Sequence, residues 1–190
     1  KGECFEHPGR PLETVEEENY FFRLSKYGPW LRELIASGQL LVTPETRRNE
    51  MLAIIDRGLE DFSVSRPVSR TKNWGVPVPG DEQQTMYVWY DALANYITAL
   101  GYPATAAPDG ERYRDFWAEN EARGHILGKG VNRFHTIYWP AMLASAGLPL
   151  PRFALVHGYI TIDGAKMSKT LGNVVDPADI IREYGTDALR

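Results

Sequence analysis

"GHILGKGVNRFHTIYWPAMLASAGLPLPRFALVHGYITI", residues 124–162, decides how this chain folds. An apolar run at 125–127 ends in Gly-Lys-Gly, Gly128 to Gly130. A helix-like stretch follows to Gly147, and a second apolar run starts at Phe153. Strand, glycine turn, helix and strand in that order argue for an α/β fold with a parallel sheet. Pro140 lies inside the helical stretch and predicts a kink. Residues 153–162 read as one long strand or a strand pair. In sheets of this kind, ligands gather at the carboxyl ends of the strands.

The next residues, "DGAKMSKTLGN" at 163–173, place Lys166 and Lys169 three apart between Gly164 and Gly172. No helical pattern surrounds them. Asp-Gly is a turn signal, and the flanking glycines leave the segment free to move. Such a loop suits a polyanion that arrives and departs, although a solvated basic loop has the same composition. At Gly128-Lys129-Gly130 a strand ends and a helix begins, so free backbone N–H groups and a lysine charge coincide. That turn has an ordinary structural reading too. Together the two segments place cations at strand ends, where lysines stabilise phosphate charge that moves onto a leaving group.

Upstream, "TMYVWY" (85–90) reads as a strand running into an apolar helix, "DALANYITALG". With a helix start near Trp89, residues Trp89, Ala92 and Tyr96 form one stripe. The stripe is either core packing or the wall of a slot for an apolar side chain. Val131 and His135, four apart, share a face of the following helix. "NYFFRL" (19–24) is strand-like, and "KYGPWLRELIASG" is a helix with Pro29 near its start. Thr43 is the expected N-cap of a second helix, with Pro44 at its first position, Gly58 beyond its end, and Met51, Leu52, Ile54 and Ile55 as its buried stripe. "DFSVS" (61–65) alternates as a strand. Prolines and glycines make 66–84 loop or edge structure. "YRDFWAENEA" reads as a short helix. Asp176 caps a last helix that Gly185 stops, and another helix start falls at Thr186.

The chain has 190 residues, of which 43% are hydrophobic and 24% charged. This allows a real core. No apolar run is long enough to span a membrane. The net charge of −4 argues against indiscriminate nucleic-acid binding. A single cysteine, Cys4, forms no internal disulfide and points to a reducing compartment, the cytoplasm or an organelle matrix. The chain starts at Lys1 without Met and stops at Arg190 just after a helix start, so it is expected to be a piece of a larger protein. Split from the rest of its sheet, it is expected to expose apolar strand edges and dissolve poorly. Cys4 and His7 have the spacing of half a zinc site, or are unrelated residues in a polar connector.

"KMSKT" within "VHGYITIDGAKMSKTLGNVVDP" resembles the lysine loop of class I aminoacyl-tRNA synthetases. The segments "EEENYFFRLSKY", "RRNEMLAIIDRGLEDFSVSR", "NWGVPVPGDEQQTMYVWYDALANYITALGY" and "RFHTIYWPAMLASAGLPLP" resemble the methionine-specific branch, in that family's order. The resemblance implies ATP-dependent activation of methionine to methionyl-adenylate, with Mg2+, followed by transfer to initiator and elongator methionine tRNAs. It implies that Lys166 and Lys169 bind the triphosphate and act in catalysis. Gly128 and Lys129 lie by the nucleotide, and backbone at Val156, His157 and Gly158 faces adenine. Trp89, Ala92, Tyr96, Val131 and His135 line the methionine pocket. Arg66 is a further active-site residue, and Cys4 and His7 are zinc ligands whose partners lie upstream. The family's Gly-Lys-Asp is Gly-Lys-Gly here, so Gly130 lacks a carboxylate expected at the ribose. Leu93 and Thr170 depart mildly from the pattern. The His-x-Gly-His motif and the helical anticodon-binding domain are absent.

The implied arrangement is the end of a connective insert (1–18), the second half of a Rossmann-like nucleotide-binding domain (19–176) and the start of a linker (177–190). Two further readings are a class I synthetase for another amino acid and a non-catalytic nucleotide- or tRNA-associated module.

Overall fold

The computed structural model describes residues 16–72, 74–103, 109–168 and 172–189. From the amino end, β1 (Phe21–Phe22) leads into α1 (Gly28–Ala36), β2 (Leu41–Thr43) and α2 (Glu45–Asp56). Then come β3 (Phe62–Ser63), β4 (Ser65–Pro67), the short α3 (Val68–Thr71), β5 (Pro77–Val78), β6 (Asp81–Met86) and α4 (Val88–Thr98). After α5 (Asp109–Tyr113) follow β7 (Gly124–Gly128), α6 (Trp139–Ser145) and β8 (Phe153–His157). The chain closes with the hairpin β9 (Thr161–Ile162) and β10 (Ala165–Lys166) and the helices α7 (Pro177–Tyr184) and α8 (Thr186–Leu189).

The central sheet has the order β2-β8-β7, and both pairings are parallel. Gly124 stands opposite Phe153 in this register. A Cβ at Gly124 would come within 2.5 Å of the Phe153 ring, so the pairing needs glycine there. Side chains alternate across the sheet, as strand geometry requires. Val42, Leu127, Ala154 and Val156 face inward and join Leu31, Ile35, Met51, Ile55 and Ile137 in the main core. The other face carries Leu41, Ile126 and Leu155, which are 55%, 74% and 43% exposed. Ile126 and Leu155 are direct cross-strand neighbours, while Leu41 pairs with Phe153 one step away on the same face. Parallel sheets are normally covered on both faces.

A second cluster, Leu93, Ile97, Trp117, Trp139 and Leu143, fastens α4 to α6. An antiparallel sheet of order β4-β6-β5 leads into α4. Among the described residues, no helix is long and apolar enough to cross a membrane.

The parallel sheet, α1, α2, α4 and α7 stand where the sequence places them. Asp176 caps α7, its side chain accepting from the Ala178 N–H at 2.8 Å. Other boundaries move. Thr43 is the last residue of β2 and Pro44 is the cap of α2, because Thr43 pairs with Leu155 in the sheet. The strand expected at 85–90 runs instead from Asp81 to Met86, held by β4 and β5 on its two sides. Trp89 is therefore helical. The helix expected over 113–122 ends at Ala118. Residues 153–162 form two strands with a break at Gly158–Ile160. The irregularity expected at Pro140 takes the form of a wide π turn, Phe134–Tyr138, immediately before α6.

Candidate functional site

β7 ends at Gly128, and a 3-10 turn, Lys129–Val131, carries the chain into the following helix. β8 ends alongside it at His157, the register partner of Gly128. Beyond β8, Tyr159 is an exposed ring at the carboxyl end of the sheet. The Lys129 ammonium lies 4.8 Å from the centre of that ring and the Lys166 ammonium 4.4 Å. Cations from the glycine turn and from the lysine hairpin thus converge on one aromatic ring. A Cβ at Gly130 would stand 2.7 Å from the Tyr159 hydroxyl, the far end of an exposed side chain. Where the resemblance implies a carboxylate, a tyrosine hydroxyl fills the adjoining space. His157 is exposed, its Nδ1 hydrogen-bonded at 2.7 Å to the Gly158 carbonyl, while the Val156 side chain belongs to the core.

The same turn begins a second subsite. The Val131 carbonyl lies 2.9 Å from His135 Nδ1. A carbonyl only accepts, so Nδ1 carries the proton and Nε2 accepts from the Tyr96 hydroxyl at 2.7 Å. Burial holds the His135 pKa below its ordinary value, against the opposing pull of the Val131 carbonyl. Burial also raises the Tyr96 pKa. The pair is therefore a neutral imidazole and a neutral phenol with their polar atoms already committed. One turn along, Phe134 stacks on Trp89 with centroids 5.1 Å apart. Half-buried Ala92 lies between Trp89 and Tyr96 on the α4 stripe. The result is an aromatic cluster, Trp89 on Phe134 and Tyr96 on His135, that holds the ring-bearing slot residues of the sequence reading.

Behind the slot lies His125, which the sequence had presented only as a strand residue. It packs against Tyr96, His135 and Trp117, with centroids 4.5, 5.2 and 5.9 Å away. Its Nε2 is buried without a protein partner. Burial first, and the neighbouring His135 second, lower its pKa to about 4. Its position was legible in principle, since His125 alternates with Leu127 on the inward face of β7. Phe134 and Tyr159 were also missed; each carried the signal of an aromatic beside an identified residue.

Arg66 stands apart from the lysines. Its guanidinium donates to the Ser63 hydroxyl and the Ser65 carbonyl, each at 2.7 Å, and lies 4.4 Å from the Tyr87 ring centre. It lines an open cavity of about 560 Å³ with Thr71, Trp74, Met86, Tyr87 and Asp91. None of the slot residues lines that cavity. Cys4, His7 and Lys169 lie outside the described residues. Among the described residues, no cluster of three or more His, Cys, Asp or Glu side chains is placed to hold a metal.

Helices linking parallel strands, with cations at the carboxyl ends, define a Rossmann-like α/β domain. The family model described as tRNA synthetases class I (M) matches residues 5–190. The chain belongs to this family of methionine-type class I tRNA synthetases. It is 51% identical to the methionine–tRNA ligase of Brucella suis over 96% of its length, and 50% identical to that of Caldanaerobacter subterraneus over the same share. It spans about a third of those relatives, 33% and 27% respectively. Its fold superimposes on Mycobacterium tuberculosis methionyl-tRNA synthetase bound by methionyl-adenylate, with a TM-score of 0.78 and 42% identity. That match covers 96% of this chain and 34% of the solved one. The apo form of the same synthetase gives a TM-score of 0.76.

Proposed function

We propose that this chain supplies part of an active site that activates methionine with ATP to methionyl-adenylate and passes the methionyl group to tRNA. One observation carries the reading. A single three-residue turn, Lys129–Val131, joins the paired cations at Tyr159 to the aromatic slot at His135. The solved relative's bound methionyl-adenylate, a nucleotide joined to an apolar amino acid, has the chemistry of those two subsites.

In this reading the methionine thioether lies in the slot of Trp89, Ala92, Tyr96, Val131 and His135, where aromatic faces suit a polarizable sulfur. Adenine lies along the backbone at Val156, His157 and Gly158. Lys129 and Lys166, with Lys169, face the triphosphate. As the α-phosphate is attacked by the methionine carboxylate, negative charge grows on the departing pyrophosphate. Fixed ammonium groups stabilise that charge more than the ground state. Catalysis is electrostatic and positional, with no covalent bond to the protein. Mg2+ accompanies the phosphates. Cys4 and His7 supply two donors of the type zinc takes, and a structural zinc site requires four. Residues 1–18 close a connective insert, 19–176 form the nucleotide-binding part and 177–190 begin a linker.

The test is amino-acid-dependent ATP–pyrophosphate exchange by the full-length gene product. Exchange with methionine, and not with leucine or valine, is expected. Exchange with another amino acid reassigns the slot, and nucleotide binding without exchange makes the site non-catalytic.

A further inference from the structure

We propose that Tyr159 is a positioning residue that sets both lysines for the nucleotide's phosphates before the nucleotide binds; the inference rests on the adenylation reading above. Two ammonium groups brought to one place repel each other, and each lysine stem has considerable rotamer freedom to lose. Something must hold them. Among the described residues, neither Lys129 nor Lys166 has a carboxylate within 4 Å. What both have is the Tyr159 ring, 4.8 and 4.4 Å away.

The choice of an aromatic partner has a physical consequence. A carboxylate would order the lysines but cancel their charge, and an incoming phosphate would have to displace it. The negative face of a ring attracts an ammonium group while carrying no net charge. The two cations therefore keep their full attraction for a polyanion. An ammonium group has three N–H donors, so it can stay on the ring face while it meets a phosphate oxygen. Ordering before binding removes a cost from the binding step.

Gly130 belongs to the same device. A Cβ at Gly130 would stand 2.7 Å from the Tyr159 hydroxyl, which lies against the Lys129–Val131 turn. A methyl group at position 130 would push the hydroxyl away and move the ring off the lysines. Removing the hydroxyl as well would relieve that push. Positions 130 and 159 are thus coupled in a direction that a general loss of stability does not produce.

The experiment uses methionine-dependent pyrophosphate exchange by the full-length gene product, with methionine affinity measured separately by tryptophan fluorescence. Tyr159→Leu is expected to raise KM for ATP by about 5- to 30-fold, the worth of two exposed cation–π contacts. Methionine affinity stays unchanged, which also shows that the variant is folded. Tyr159→Phe keeps the ring and restores a KM near that of the parent. Gly130→Ala raises KM, and does so much less in the Tyr159→Phe background. An unchanged KM in Tyr159→Leu, or an equal effect of Gly130→Ala in both backgrounds, overturns the proposal. If the unmutated protein shows no methionine-dependent exchange, the adenylation reading itself has failed and takes the proposal with it.

Discussion

Replacing His125 by Phe should flatten the acid side of the stability curve. His125 sits against three aromatic rings with its Nε2 unpartnered, and its pKa falls from 6.5 to about 4. Desolvation is the main cause, and the positive charge that His135 can carry is the second. The folded-state pKa lies below the unfolded one, so on acidification the unfolded chain takes up the proton first. The neutral imidazole's contribution is complete above pH 6.5 and is lost as pH falls from there to about 4. One pKa unit corresponds to about 1.4 kcal/mol, so the loss across the window is on the order of 3 kcal/mol. Phe keeps an aromatic ring in an aromatic environment and cannot bind a proton. Because the buried nitrogen has no partner, its removal costs little at neutral pH. Urea denaturation of the full-length gene product across this window should show the parent losing about 1.4 kcal/mol per pH unit more than His125→Phe in the steep region. Parallel pH profiles for the two proteins would refute the reasoning. So would an imidazole resonance of His125 titrating near pH 6.5.

Lys169→Ala in the full-length product should slow adenylate formation by about 10²–10³-fold while leaving methionine affinity without ATP unchanged; single-turnover kinetics decide, and intact turnover removes this lysine from the mechanism. Tyr96→Phe strips the donor from His135 Nε2 in a buried setting, which should lower stability by about 1–3 kcal/mol and weaken methionine binding, read by denaturation and fluorescence titration. Ile137→Ala, at a fully buried core position, should cost about 2–5 kcal/mol in a thermal or urea melt. The 190-residue chain expressed alone should self-associate through the Ile126–Leu155 row, and Ile126→Glu with Leu155→Glu should shift its sedimentation toward monomer.

The sequence showed most clearly what depends on local chemistry. The Gly-Lys-Gly turn, the Asp176 cap and the helix at 177–184 are set by residues close together in the chain, and they stand as read. What depended on distant partners was not legible. Thr43 has the side chain of a helix cap, but pairing with Leu155 takes it into the sheet. Met86 and Val88 are both apolar. Only the neighbouring strands β4 and β5 show that the first ends a strand and the second begins a helix. The same division runs through the site. Lys129 and Lys166 read from the residues alone as cations at strand ends, while the roles of Trp89, Tyr96 and His135 came from the family resemblance. The ring that both lysines approach did not show itself, since Tyr159 reads as one more aromatic at a strand end. The outward positions of Leu41, Ile126 and Leu155 follow from alternation alone, but their exposure among the described residues is a tertiary fact.

The arrangement also shows how, in the proposed reading, one strand ending serves two unlike ligands with few residues. β7 and β8 run parallel and in register to Gly128 and His157, so both strands release their chains at one level. Whatever leaves β7 within one turn meets whatever leaves β8. Lys129 meets Tyr159 in this way, and two residues later the Val131 carbonyl fixes the tautomer of His135. Lys129 and Val131 belong to one three-residue 3-10 turn, so the position of the ammonium and the orientation of the imidazole are linked through the same backbone. The slot and the cation pair are thus two faces of one strand ending, and a change that shifts that ending must disturb both.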